Sequence, residues 1–334
     1  MRLLEQITVK NESDIIYAKT TMRNLLKREK NVYDESFLIF ALMELSTNLI
    51  KHGDGGEIWI LKSDDEILLS ALDYGKGIEN LSFSMQKGAT SKQNSLGLGL
   101  YQMNEDVYYH MEIFTITKKE FHGTIVLIKP RDFKKSILSL QINYIGEQFN
   151  GDMFTKKGKF LLLADGSGHG KKANKSVEFI KSFFYANHFS CLLIDKFFQK
   201  LHKELQERML RGAVLALFEV TKEEVQICGV GNIALWHKQD GEFHLTSQKN
   251  GIIGKTFSSS GKEKFSLSIG EKVIAATDGI DCGRMQKVVS QLPKNISSAL
   301  LALVLVHFAS VKYDDKSVVV IENFREESDN DTRV

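Results

Sequence analysis

Two polar residues lie four positions apart on the best-supported helix of the N-terminal half. Glu44 and Asn48 fall in the stretch from Asp34 to Lys51, where apolar residues recur about every 3.6 positions. A spacing of four places both side chains on nearly the same helix face, about 6 Å apart along the axis. Both polar groups therefore point to the same place, although taken alone such a pair is more often a polar stripe that faces solvent.

An acidic residue and two glycines follow at the end of a strand-like stretch. Asp73 closes that stretch, and Gly75 and Gly77 come directly after it. An aspartate at this place could accept a hydrogen bond from an adenine amino group, and glycines let the backbone approach a nucleotide closely. The segment therefore favours a nucleotide site.

A second pair of glycines opens a predicted helix. Gly97 precedes, and Gly99 begins, a helix that we expect to reach Tyr109, and Thr90 lies in the loop before them. The free amide groups and the positive dipole end of a helix suit a phosphate. A lone Gly-x-Gly is a weak signal, but the three segments in this order are jointly specific for a nucleotide site.

The C-terminal half carries acidic residues at predicted strand ends or beside glycines. These are Asp152, Asp165, Asp278 and the adjacent pair Asp314 and Asp315. An isolated Asp-Gly is usually an ordinary turn, but several at strand ends would gather carboxylates at one end of a sheet. Such oxygen-rich sites bind Mg²⁺ or Mn²⁺ rather than zinc. Two such ions about 4 Å apart can activate a water and clamp a phosphate.

The glycine-rich turn after Asp165 contains a histidine. His169 could donate a proton to a leaving seryl oxygen, although a solvent-facing loop residue fits the sequence equally well. The stretch from Arg208 to Arg211 offers candidates for binding a phosphate, and the sequence assigns none of them.

Positioning these groups requires two folded units. The chain has 334 residues, of which 43% are hydrophobic and 26% charged, and this suits two globular domains. Strand-like and helix-like stretches alternate up to Pro130, and short strands with a few helices follow. The expected class is α+β, with one domain over 1–130, a sheet-rich sandwich flanked by helices over 131–324, and a disordered tail over 325–334.

Charge and composition exclude several classes of protein. The net charge of +2 is too balanced to indicate nucleic acid or an anionic membrane as a partner. The three cysteines lie far apart and fit a reducing cytoplasm. Glu5 interrupts any secretory signal, and the apolar run from Ala299 to Val306 is too short to cross a bilayer, so we expect a buried helix there.

The first 130 residues or so resemble the GHKL ATPase superfamily, and most closely the small serine kinases of bacterial partner-switching systems, the RsbT and SpoIIAB type. The resemblance implies a Bergerat fold, a two-layer α/β sandwich. Asn48 would hold Mg²⁺ against the ATP phosphates, Asp73 would bind adenine, and Glu44 would be the general base toward a seryl or threonyl hydroxyl. The remaining nucleotide-binding positions would be Gly75, Gly77, Thr90, Gly97 and Gly99.

Two other members of that superfamily fit less well. A sensor histidine kinase would need a helical hairpin with a phospho-acceptor histidine before this domain, and no histidine precedes Glu44. A gyrase-like or chaperone-like ATPase would use Glu44 to activate water, but it would bring long transducer domains. We therefore prefer the serine kinase interpretation.

Residues from about 135 to 323 resemble the PPM-type metal-dependent serine/threonine phosphatases, in the branch of stage II sporulation protein E and RsbX. The matching segments are Asp165-Gly-Ser-Gly-His-Gly170, Gly229-Val-Gly231-Asn232 and Gly251-Ile-Ile-Gly254. The resemblance implies an αββα sandwich in which Asp165 bridges two metal ions and Gly166 offers its carbonyl. Asp152 and Asp278 would each bind one ion, and Asp314 would complete the site, with Asp315 as the fallback.

Together the two resemblances predict a bifunctional kinase and phosphatase that uses ATP with Mg²⁺ or Mn²⁺ and acts on a STAS-domain protein of a partner-switching pathway. The alternative is that the first domain binds nucleotide and sequesters a partner such as a sigma factor, or gates the phosphatase, without transferring phosphate. The sequence does not decide whether the chain forms a homodimer, as kinases of this type often do.

Overall fold

The computed structural model describes residues 1–29, 34–87, 99–118, 121–187, 194–239, 242–246, 248–293 and 295–323. The chain divides into two compact units, Met1–Lys134 and Lys135–Val334. This division falls four residues after the boundary at Pro130 that the sequence predicts. The expected disordered tail over 325–334 lies outside the described residues.

The N-terminal unit contains an antiparallel sheet. Its strands are β1 (Arg2–Val9), β2 (Gly56–Ser63), β3 (Glu66–Asp73), β4 (Tyr109–Lys118) and β5 (Phe121–Pro130). They lie in the order β1-β2-β3-β5-β4. Alternate residues on one sheet face, including Ile58, Ile60, Leu69 and Ile128, are buried in a common core with the helices of the unit.

Helices cover that face of the sheet. They are α1 (Glu12–Glu29), α2 (Glu35–His52), α3 (Leu81–Ser84) and α4 (Gly99–Asn104). The α2 helix begins at Asp34, whose carboxylate accepts the backbone N–H groups of Ser36 and Phe37. Its apolar stripe, which includes Leu38, Leu42 and Leu45, is completely or almost completely buried.

The α4 helix is shorter than the sequence predicts. It ends at Asn104 instead of continuing to Tyr109. The Asp106 carboxylate accepts the N–H groups of Tyr108 and Tyr109, 2.9 and 2.7 Å away, and turns the chain into β4. The Tyr109 ring is fully buried and stacks on Phe37, so core packing favours a strand start at a position where the helical pattern alone suggests continuation.

The C-terminal unit contains two antiparallel sheets. The first has β7 (Asp152–Lys157), β8 (Phe160–Gly166), β9 (Ala213–Val220), β10 (Glu224–Val230) and β13 (Gly261–Ser266), in the order β13-β10-β9-β8-β7. The second has β6 (Ile137–Ile142), β11 (Ala234–Gln239), β12 (Glu242–Thr246), β14 (Lys272–Ala276) and β15 (Lys316–Glu322), in the order β12-β11-β14-β15-β6.

Helices lie outside both sheets. They are α5 (Gly170–Ala186), α6 (Ile194–Glu207), α7 (Cys282–Val289) and α8 (Ser298–Phe308). Leu161 and Leu163 of β8 face a core shared with Val273 and Val319 of the second sheet. Leu162, which points to the opposite face, packs in a core with α5 and α6, while α8 packs on β15 and β6. The unit is therefore an αββα sandwich, and the predicted α+β class is confirmed.

The apolar run near the C-terminus forms the buried helix α8. Every residue from Ser298 to Phe308 is buried. Among the residues that the structure describes, no helix is both long and apolar enough to span a bilayer.

Candidate functional sites

The α2 helix positions Glu44 and Asn48 one turn apart, and both side chains are half-buried. Gly99, the first residue of α4, lies directly against this helix, because a Cβ built on Gly99 would overlap the Glu44 carboxylate. The structure thus brings together two residues that are far apart in sequence. Only glycine fits the position without displacing Glu44.

The turn after β3 packs on the C-terminal end of the same helix. Gly75 donates its N–H to Asp73 Oδ1 at 2.7 Å. A Cβ on Gly75 would lie 3.1 Å from Gly53 Cα and 3.2 Å from the His52 carbonyl. His52 is the last residue of α2, whereas Gly99 contacts Glu44 near the middle of the helix, so the Asp73 turn and Gly99 meet α2 at different places.

Burial and hydrogen bonding shift the pKa of Asp73 in opposite directions. Burial raises the pKa of its carboxyl group, and hydrogen bonds from the Gly75 and Thr124 N–H groups offset part of this rise. Gly77 has a φ of 75°, and a Cβ there would overlap the Ile116 carbonyl. The turn is therefore closely fitted to β4.

These contacts define an elongated site along α2. Glu44 and His52 are separated by two helical turns, about 12 Å. A carboxylate and an amide lie near one end, and a partly buried acid with close-packed glycines lies at the other. This arrangement suits an extended nucleotide, with phosphates near Glu44 and the base near Asp73. Thr90 and Gly97, the other two predicted positions, lie outside the described residues.

Sequence reasoning missed the residues that support the Asp73 turn. Thr124 lies opposite Asp73 in the β3–β5 register. Thr115 Oγ1 accepts the Ile78 N–H at 2.8 Å, and His122 Nδ1 lies 2.9 Å from the Gly75 carbonyl oxygen. These residues become neighbours of the turn only through strand register, which the sequence pattern does not give.

Residues 33–133 match a family model described as histidine kinase-, DNA gyrase B- and HSP90-like ATPase. The N-terminal unit contains a GHKL ATPase domain. This match covers the superfamily as a whole and does not choose among its kinase and hydrolase branches. No curated protein matches the chain.

Beyond the ATPase domain, two acidic residues meet at one end of the first sheet of the C-terminal unit. Asp152 and Asp165 are direct neighbours across β7 and β8. Asp152 is buried and accepts a hydrogen bond from Thr277 Oγ1 at 2.7 Å. The neighbouring Asp278 raises the pKa of Asp165, and Asn232 Nδ2 donates to Asp278 Oδ2 at 3.0 Å.

The carboxylates of this acid cluster (Asp152, Asp165, Asp278 and Asp314) repel one another. Burial, together with its acidic neighbours, raises the pKa of Asp152 to about 7 and that of Asp165 to about 10. Burial and Asp278 likewise raise the pKa of Asp314. The backbone N–H of Asp315 and the charge of His169 offset part of this rise.

The donor chemistry of the acid cluster fits hard divalent cations, because the gathered groups are oxygens that only a cation would keep ionised together. Within the described residues, however, no three acidic, histidine or cysteine side chains are already placed to hold one ion. The metal roles of Asp152, Asp165, Gly166, Asp278 and Asp314 therefore remain predictions.

The adjacent acids Asp314 and Asp315 have different surroundings. Asp315 is buried, and it accepts the backbone N–H groups of Tyr144 and Gly151 at 2.8 and 2.7 Å. Asp314 interacts with Asp165 and Asp278 instead. Asp315 thus anchors the loop through Tyr144 and Gly151, and its charge also raises the pKa of Asp152.

A histidine and an arginine side chain adjoin the turn between β8 and α5. His169 Nδ1 lies 3.0 Å from Glu147 Oε1. Arg211 Nη1 donates to the Ser167 carbonyl at 3.1 Å, whereas Arg208, the residue after α6, pairs with Glu204 of that helix. Of the two arginines, Arg211 is the one that contacts the turn.

Solved structures similar to the chain include phosphatases. One from work on the bacterial stressosome is 24% identical, with a TM-score of 0.45, and covers 55% of this chain and 97% of its own. RsbX in complex with magnesium is 22% identical, with a TM-score of 0.44. The match covers 55% of this chain and 92% of RsbX. The Mycobacterium tuberculosis serine/threonine phosphatase PstP/Ppp is 12% identical, with a TM-score of 0.45. The match covers 57% of this chain and 98% of the phosphatase.

Proposed function

We propose that this chain is a bifunctional switch enzyme, which phosphorylates a serine or threonine of a partner protein with its GHKL domain and removes phosphate with the acid cluster. The observation that carries the proposal is the presence of two separate donor sets in one chain. Glu44 lies against Gly99 in one unit, and Asp165 lies among other carboxylates in the other.

In the kinase half, Glu44 would take the proton of the substrate hydroxyl, and Asp73 would accept from the adenine amino group. Mg²⁺ held by Asn48 would neutralise phosphate charge. Because phosphoryl transfer depends mainly on positioning and charge neutralisation, a single carboxylate with these groups is a sufficient set.

In the phosphatase half, Asp165 would bridge two Mg²⁺ or Mn²⁺ ions, with the Gly166 carbonyl, Asp152, Asp278 and Asp314 completing the donor set. The ions would supply an activated water and a clamp for the phosphate. His169 would give a proton to the seryl or threonyl oxygen as it leaves phosphorus.

The partner that we propose is a STAS-domain protein of a bacterial partner-switching pathway, and the setting is the cytoplasm. The resemblance of both halves to enzymes of such pathways supports this choice. A sigma factor or another switch protein would be a further partner.

Phosphate transfer and release can be measured separately with purified STAS-domain proteins. We expect the full chain to transfer radiolabelled phosphate from ATP with Mg²⁺, and to release phosphate from the labelled protein with Mn²⁺. Glu44→Ala should abolish only the transfer and Asp165→Ala only the release. Unchanged activities in both variants would refute the assignments.

The competing function is a nucleotide-binding module that sequesters a partner or gates the phosphatase. The elongated site along α2 serves binding as well as chemistry. Measuring ATP affinity beside phosphotransfer distinguishes the two functions. Tight ATP binding without transfer to any partner, combined with metal-dependent phosphate release, would favour the module.

A further inference from the structure

A glutamate and a histidine form a pair beside the acid cluster. Glu147 Oε1 lies 3.0 Å from His169 Nδ1, and both side chains are partly exposed. His169 occupies the N-cap position of α5, but its side chain makes no capping hydrogen bond. The ring nitrogen is therefore directed to Glu147 instead of to the helix.

The loop that carries Glu147 is held at both ends by one buried acid. Asp315 accepts the N–H groups of Tyr144 and Gly151, which flank Glu147 in sequence. Glu147 also donates its own N–H to the Tyr144 carbonyl at 3.0 Å. The position of the Glu147 backbone is thus fixed by the residue next to Asp314.

The imidazole is held from a second direction. The Tyr144 ring packs edge-on against the His169 ring, with 5.5 Å between centroids. On the side of the acid cluster, His169 is close enough to Asp314 for its charge to lower the pKa of that carboxyl group. The ring is therefore in contact with Glu147 and Tyr144 and acts electrostatically on Asp314.

We propose that Glu147 is a positioning residue that holds His169 with Nδ1–H toward its carboxylate and presents Nε2 to the leaving oxygen of the phosphorylated substrate. The proposal rests on the proposed phosphatase function. Orientation of a catalytic imidazole by a carboxylate at its other nitrogen is a general device of acid–base catalysis.

The step balances as a hydrolysis. A bond forms between phosphorus and the oxygen of the attacking water, and the bond from phosphorus to the seryl or threonyl oxygen breaks. That oxygen keeps the electron pair and takes the proton from Nε2 of His169. The water loses a proton to solvent, and His169 is reprotonated from solvent.

The first test compares substrates whose leaving groups differ. A seryl oxygen needs a proton as it leaves, whereas para-nitrophenolate does not. We expect Glu147→Ala to lower kcat on a phosphoseryl protein at least about tenfold, and His169→Gln to lower it about a hundredfold. Both variants should change kcat on para-nitrophenyl phosphate by less than about threefold. The control is Glu178→Gln, which alters an exposed glutamate on α5 near Lys181.

The second test does not depend on turnover. Nitrogen NMR shifts of the His169 ring in the metal-free full chain should report the Nδ1–H tautomer, and Glu147→Ala should lose it. Glu147→Gln keeps an acceptor oxygen and should restore the tautomer. An unchanged tautomer in Glu147→Ala, or equal losses of kcat on both substrates, would overturn the proposal.

Failure of the phosphatase function gives a different result. In that case the wild-type chain would release phosphate from neither substrate, whereas the NMR measurement would still report whether Glu147 sets the tautomer.

Discussion

Asp165 and Asp152 should make the metal-free protein less stable as the pH rises. Their pKa values are raised to about 10 and about 7, from an ordinary value of 3.8. Between the ordinary and raised values, the folded chain binds protons that the unfolded chain has lost. The free energy of unfolding of the metal-free chain therefore falls as the pH rises through this range. We expect the melting temperature without metal to fall between about pH 5 and pH 9.

The matched variant is Asp165→Asn, which removes the ionisation and keeps the size of the side chain. It should raise the melting temperature of the metal-free protein at alkaline pH and weaken the stabilisation that Mn²⁺ gives the wild-type chain. Thermal unfolding at several pH values, with and without Mn²⁺, measures both effects. A full wild-type response to Mn²⁺ in this variant would show that Asp165 is not a metal ligand.

A side chain at position 99 should displace the Glu44 carboxylate. Because a Cβ would overlap the Glu44 carboxylate, Gly99→Ala should displace the proposed base and reduce phosphotransfer at least about tenfold. Phosphate release should be unchanged. Gly283→Ala is the control, since its Cβ would meet only Asp281 Oδ1 at 3.3 Å in α7. Equal transfer by Gly99→Ala and wild type would contradict the assigned position of Glu44.

The residues that the sequence could identify are those with a local signal. Glu44 and Asn48 share a helix face at a spacing of four, and Asp165 stands in a glycine-rich turn. Glu147 and Thr124 carry no such signal, because their partners, His169 and Asp73, are set by loop anchoring and strand register. The backbone hydrogen bonds that Asp315 accepts from Tyr144 and Gly151 carry no local signal either.

At the level of elements, the loop over 144–151 should depend on Asp315. Asp315→Ala would leave the buried N–H of Gly151 and the N–H of Tyr144 without their acceptor. Each lost bond costs about 1–3 kcal/mol, so we expect a clear drop in the free energy of unfolding by urea. Asp314→Ala removes a carboxylate from the acid cluster and should leave metal-free stability equal or higher. Equal destabilisation by both variants would contradict the division of roles.

Elements with a strong apolar period were predictable, and those fixed by tertiary contacts were not. The α2 helix and the buried strands β8 to β10 follow their sequence patterns. The sequence did not predict β7, whose residues are partly charged, or β13, an edge strand rich in lysine and glutamate. Both strands form by pairing with an apolar neighbour, β8 or β10.

At the scale of the whole molecule, the chain forms two compact units although it contains very few prolines. The chain has only two prolines, and the contact-based division falls between Lys134 and Lys135, soon after Pro130. Each unit has its own hydrophobic core. Each of the two sets of motifs lies within one of these units.

Opposing activities in one chain should consume ATP continuously. With ATP, Mg²⁺ and Mn²⁺ present, each phosphate added to the partner protein would be removed again, so the wild-type chain should release ADP well beyond the amount of partner sites. Asp165→Asn should stop after about one ADP per site, because no site is regenerated. Glu44→Gln should release almost none. An ADP-release assay with measured partner phosphorylation checks all three. Continued ADP release by Asp165→Asn without the partner would instead mean that Glu44 activates water, as in the hydrolase branch of the GHKL superfamily.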